Sequence, residues 1–269
     1  MTALNGFKEI VAEFFNRQRA LTIYSLVLLA FLVATFVAQM IDVRTFAGDN
    51  VWTKPSKFLF SVAVFALTCA WSFGYVRADR RTSPLLRATV AALIVAGSFE
   101  ILYIAWQAAQ GQASHFNHST PFHAIMYGLM GVGAVVLVGT TLPLAWEITR
   151  RPVAGLRPDY RASVVIGLIL CFVLGGGLGG YMAQQPGHAV GAVGGQLPIF
   201  GWNRSGGDLR IAHFLGIHAQ QAIPMIAIIA STAASGWRWA AVVGGSALYV
   251  ALTALLFAQA VSGLPLLRM

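Results

Sequence analysis

Charge is what this sequence of 269 residues has least of: Asp, Glu, Lys and Arg together make 10% of it, while 57% is hydrophobic. A soluble domain carries about 25% charged and about 45–50% apolar residues. Too few charges exist to cover a water-facing surface, which excludes a soluble enzyme and a disordered chain. Cysteine is nearly absent. Cys69 and Cys171 both lie in apolar runs, so they read as core residues, and no disulfide framework exists. No run alternates apolar and polar residues, which argues against a β-barrel. There is no P-loop, no G-x-S-x-G and no C-x-x-C.

What the chain has instead is long apolar runs. A hydrocarbon core of ~30 Å needs ~20 helical residues. Seven stretches meet that requirement: 20–42, 57–77, 86–110, 121–147, 161–183, 210–233 and 237–263. The expected fold is all-α, a polytopic membrane helix bundle of seven transmembrane helices, with the lipid bilayer as its partner. The first run is too long for a signal-peptide core and is expected to be retained. Residues 1–19 read as a cytoplasmic-side N-terminal segment, of which 3–17 mix charge with Phe and Val at helical spacing, as an amphipathic surface helix or a soluble N-terminal cap does. Residues 20–263 form one membrane domain, 184–209 a Gly-rich loop and 264–269 a short tail. The glycines at 128, 131, 133 and 175–180 suit close helix packing.

The net charge of +9 reads as topology, not as nucleic-acid binding. Twelve of the 18 basic residues fall on one side: Lys8, Arg17 and Arg19, the 77–87 loop, the 148–161 loop and Arg238. The other side holds Arg44, Lys54, Lys57, Arg204, Arg210 and Arg268. The positive-inside rule then puts the N-terminus inside and the C-terminus outside.

The unusual polar residues gather in the outer half. In VWTKPSKF, Lys57 enters the second span near its outer edge. In the third span Glu100 is the one acidic residue deep in an apolar run, roughly 15 Å below the outer end at 1.5 Å per residue. A carboxylate at that depth faces a partner or the bundle interior, or is protonated. Tyr103 and Gln107 follow on the same helical face. After them comes QASHFNHSTPFH, with His115, His118 and His123. In GDLRIAHFLGIHAQQAIP, Asp208 is placed to cap the sixth span. Arg210, His213, His218, Gln220 and Gln221 share an arc of roughly 160° on its wheel. His218 lies about 12 Å and Gln221 about 17 Å below Arg210, so they share Glu100's layer if these spans are neighbours.

The segments VWTKPSKF, QASHFN and GDLRIAHFLGIH resemble an uncharacterised family of bacterial seven-span membrane proteins. The resemblance runs from the second span to the sixth. It implies a bacterial inner membrane and the importance of these outer-side residues, and brings no activity with it. Better-known families depart. The seventh span has no lysine for a retinal Schiff base. The zinc-dependent membrane hydrolases use H-x-x-x-H late in the chain, whereas here four residues separate His213 from His218.

Three chemistries stay open. The first is a metal ion or b-type haem held by His115, His123, His213 and His218, for redox work. The second is proton-coupled transport or quinone handling. Glu100, Tyr103 and Lys57 would be the reacting groups, and Gln107, Asp208, Arg210, Gln220 and Gln221 would hold a quinone or other small ligand. The third is an accessory, assembly or sensor role beside partner subunits, with Glu100 paired to Lys57 or Arg210 as a structural ion pair.

Overall fold

The computed structural model describes residues 3–267; Arg268, on the less basic side by sequence, lies outside them, as does the last residue of the tail. Seven helical stretches are long and apolar enough to cross a membrane, and the chain is a multi-pass, all-α membrane protein. Contacts divide it into two units, residues 1–154 and 155–269.

Unit 1 opens with α1 (Ala3–Arg17), α2 (Arg19–Ile41), α3 (Thr53–Phe73) and α4 (Pro84–Ala109). It ends with α5 (Pro121–Gly139) and α6 (Thr141–Arg150), which together make one span. Local chemistry sets the helix starts. Ser83 caps α4 by accepting from the Leu86 N–H at 3.4 Å, and Thr120 caps α5 by accepting from the His123 N–H at 3.2 Å. Pro84 and Pro121 come next, at the first helical position, where a missing N–H costs nothing. The second span starts four residues before its apolar run, because polar Thr53 and Lys54 occupy the first turn of α3.

The amphipathic N-terminal helix forms as the sequence indicates. It docks through Phe14 and Arg17 onto α3. The Arg17 guanidinium sits 3.9 Å from the Trp71 ring centroid and donates to the Trp71 carbonyl at 2.7 Å. Gly74 leaves the slot it fills, since any side chain there would overlap it. Phe7 and Ile10 stay exposed on α1, as suits a helix lying at a lipid surface.

Unit 2 contains α7 (Pro158–Leu170), a π-helical turn over Cys171–Gly176, α8 (Gly177–Ala183), α9 (Leu209–Ile229) and α10 (Ser235–Val261). Its interior rests on backbone contact. A Cβ added to Gly216 would lie 2.7 Å from the Gly175 nitrogen, and one added to Gly167 would lie 2.8 Å from the Ala219 carbonyl oxygen. In unit 1 the glycine reading holds only at Gly133; Gly128 and Gly131 face open space. Cys69 and Cys171 are buried and unbridged.

Candidate functional site

The candidate residues fall in both units, and each set is described within its own.

In unit 1, Glu100, Tyr103 and Gln107 do share one buried face of α4, with Gln107 fully covered and Glu100 4% exposed. Gln107 donates to the Tyr103 hydroxyl at 2.7 Å. The Glu100 Oε1 and Gln107 Oε1 atoms are both buried without a hydrogen-bond partner among the described residues. Glu100 Oε1 lies against the backbone of α5, where a Cβ on Gly133 would come within 2.8 Å of it. Glycine at 133 is therefore what leaves room for the carboxyl. Tyr103, Ile104 and Met130 form an apolar cluster beside it, with Phe58, Phe99 and Met126 packed on its edge. A carboxylate that has left water needs donors, and the Glu100 oxygen has none here.

At the end of unit 1 where α3 begins, Lys54 meets His115, with Lys57 one turn further along the same helix. Its Nζ lies 3.0 Å from His115 Nδ1. An ammonium has only donors, so Nδ1 accepts and the imidazole carries its proton on Nε2. The His115 ring packs 5.6 Å from Phe58 and 6.1 Å from Tyr127, and Tyr127 meets His118 edge-on at 5.4 Å. Phe116, between the two histidines, adopts φ +54°, an uncommon conformation for a bulky residue. His123 lies outside this group. Its Nδ1 is 2.8 Å from the Thr120 hydroxyl, within the cap of α5. Phe58 and Tyr127 were not singled out from the sequence, Lys54 was counted only among the outer-side cations, and Gly133 only among the packing glycines. The start of α3 at Thr53 is the signal that puts Lys54 at the site's edge, and nothing local tells Gly133 from Gly128 and Gly131.

Outside the spans, the Arg44 guanidinium beside Asp42 holds its carboxyl well below the usual carboxylate range, and the Trp52 indole N–H adds a second bond to it at 2.9 Å.

In unit 2, Asp208 is the N-cap the sequence indicates, accepting from the Arg210 N–H at 3.0 Å. The two side chains also pair, at 2.6 Å, with Asp208 fully buried. The pair anchors the Gly-rich loop. Asp208 accepts from the Asn203 N–H at 2.8 Å, and Arg210 donates to the Gly201 carbonyl at 2.6 Å. Arg210 thus has its carboxylate within its own cap. Asn203 continues the anchor, donating to the Ala192 carbonyl at 2.8 Å and accepting from the Gly194 N–H at 3.1 Å. His213 Nδ1 lies 3.0 Å from the Gly175 carbonyl, at the end of the π-helical turn. A carbonyl only accepts, so this Nδ1 bears the proton. His218 packs 4.2 Å from the Phe214 ring, which in turn meets Phe200 and Trp202, themselves stacked at 4.4 Å. Gln220 is buried on the same helix.

The four histidines proposed as metal or haem ligands are thus engaged with neighbours of different kinds. Among the described residues, no three His, Cys, Asp or Glu side chains come together as a metal site requires. Compared with protein-family models, with curated proteins and with solved structures, the chain matches none.

Proposed function

We propose that this is a proton-handling integral membrane protein of the proton-coupled carrier class, with Glu100 as the group that takes up and releases the proton. The observation that carries this reading is the buried Glu100 Oε1, without a partner and closed against Gly133. A carboxyl buried in an apolar run with no donor beside Oε1 is suited to taking up and giving back a proton. Tyr103 and Gln107 continue the polar face of α4 towards the end where Lys54 and His115 meet. That end is the outer, periplasmic one in a bacterial inner membrane if the arginine-rich loops face inward. A solute that moves with the proton completes the cycle. An intramembrane carboxyl facing a bundle interior beside Tyr, Gln and His is the material of such a relay.

The test is proton flux into vesicles reconstituted with the purified protein. They are loaded with a pH-sensitive dye, bathed in a mixture of small metabolites so that a coupled solute is present, and driven by an imposed potassium diffusion potential. Wild type acidifies the lumen, Glu100→Gln does not, and Glu100→Asp retains part of the rate. Infrared spectra of the same samples show a protonated-carboxyl band that Glu100→Gln lacks. Equal flux in wild type and Glu100→Gln removes the proposal. So does a wild-type spectrum without that band at every pH tested.

A further inference from the structure

A second site lies in unit 2, at the level where three spans end. There α7 begins, the span of α9 finishes at Thr232 and α10 begins at Ser235. An open cleft of about 320 Å³ is lined by Gly155, Leu156, Arg157, Tyr160, Ile228 and Ser231. That volume is within the range of small-ligand sites, about 300–1,000 Å³. The cleft bears an excess of positive charge. The buried carboxylate of Asp159 accepts from Arg157 Nη2 at 3.0 Å and has Arg238 Nε at 3.6 Å, two guanidinium groups on one anion. The described hydrogen bonds of Arg157 all leave from Nη2, to Asp159 and, at 3.5 Å, to the Ala227 carbonyl. Nη1 and Nε keep donors to give, and the side chain is 39% exposed.

Its lining has two halves. Arg157, Tyr160 and Ser231 offer a planar cationic donor and two hydroxyls. Leu156 and Ile228 offer apolar surface beside them. A guanidinium with hydroxyls suits a phosphoryl group, and the apolar half suits the carbon chain attached to it. Span ends lie at headgroup depth. Trp237 and Trp239, exposed in the first two turns of α10, are of the residue type that gathers at membrane interfaces. We propose that this cleft binds the phosphate headgroup of an anionic phospholipid, with Arg157 on the phosphoryl oxygens, Tyr160 and Ser231 hydrogen-bonded beside it, and Leu156 and Ile228 against the start of the acyl region. The proposal does not depend on Glu100.

The experiment is thermal unfolding of the full chain in detergent, titrated with phosphatidylglycerol, with phosphatidylcholine of the same acyl chains, and with inorganic phosphate. Saturating phosphatidylglycerol raises the midpoint by about 5 °C, and the other two do not. Arg157→Gln abolishes the shift, and Tyr160→Phe and Ser231→Ala each reduce it. The last two remove only a hydroxyl, so they remain informative if Arg157→Gln fails to fold. Arg150→Gln, at a basic span end of unit 1, keeps the full shift. An equal rise with phosphatidylcholine overturns the proposal, as does a full phosphatidylglycerol shift in the cleft variants or its loss in Arg150→Gln. A rise with phosphate alone assigns the cleft to a free anion and overturns the lipid assignment.

Discussion

Replacing Gly216 by alanine tests the packing of unit 2 against a sharp alternative. A methyl group at 216 would stand 2.7 Å from the Gly175 nitrogen and 2.8 Å from the Leu174 carbonyl carbon. Both atoms are backbone, so no rotamer change relieves the overlap. Reaching ordinary carbon contact at about 3.5 Å or more requires α9 and the π-helical turn to part by roughly 0.7 Å. Overpacking of this kind costs about 1–3 kcal/mol. Against it stands the gain of alanine over glycine inside a helix, about 1 kcal/mol. The balance for Gly216→Ala is a loss of about 0–2 kcal/mol, or up to ~8 °C in the unfolding midpoint at 2–4 °C per kcal/mol. Gly128→Ala is the counterpart, because a Cβ there meets nothing within 4 Å. Only the helix-propensity gain remains, and the midpoint holds or rises. The assay is reaction of a thiol-specific dye with the two buried cysteines on heating in detergent. Cys171 is a local reporter, since its thiol donates to the Ile217 carbonyl beside the altered position at 3.2 Å. A Gly216→Ala midpoint equal to or above that of Gly128→Ala would refute the close approach of α9 to the turn.

Two further outcomes concern the ends of unit 1. Arg17→Ala removes the guanidinium from Trp71 and its bond to the Trp71 carbonyl, a loss of about 1 kcal/mol. Amide exchange across residues 3–17 then accelerates while that of α3 and α4 does not; unchanged exchange in α1 would show that Phe14 alone holds the helix. Asp42 ties the link between α2 and α3 through Arg44 and Trp52. Its carboxyl titrates lower in the folded protein than the ordinary value of about 3.9. The stabilisation it gives is therefore complete above that value and is lost as pH falls through the lower, folded one. Amide exchange over residues 42–52 stays slow down to mildly acidic pH and rises only in strong acid, whereas Asp42→Asn shows the fast exchange at every pH.

How much was legible depends on the range of each interaction. The sequence by itself determined the features that local chemistry and solvent dictate. Seven helical spans are among them, because sustained apolar runs have no other stable form in a bilayer. So is the amphipathic helix at 3–17, because its periodicity is local. The Asp208 cap and the shared face of Glu100, Tyr103 and Gln107 were readable for the same reason, since both are set within a few residues along one chain segment. Tertiary structure decided the rest. It gave Arg210 to Asp208, in the turn beside it. It put Lys54 on His115, 61 residues away, and closed Gly133 over a carboxyl on another helix. It also made Gly175 and Gly216 a contact while leaving Gly128 and Gly131 open. Most of these are contacts between segments far apart in the chain. Helical periodicity gives the direction of a side chain around its own axis and holds no information about which helix stands opposite.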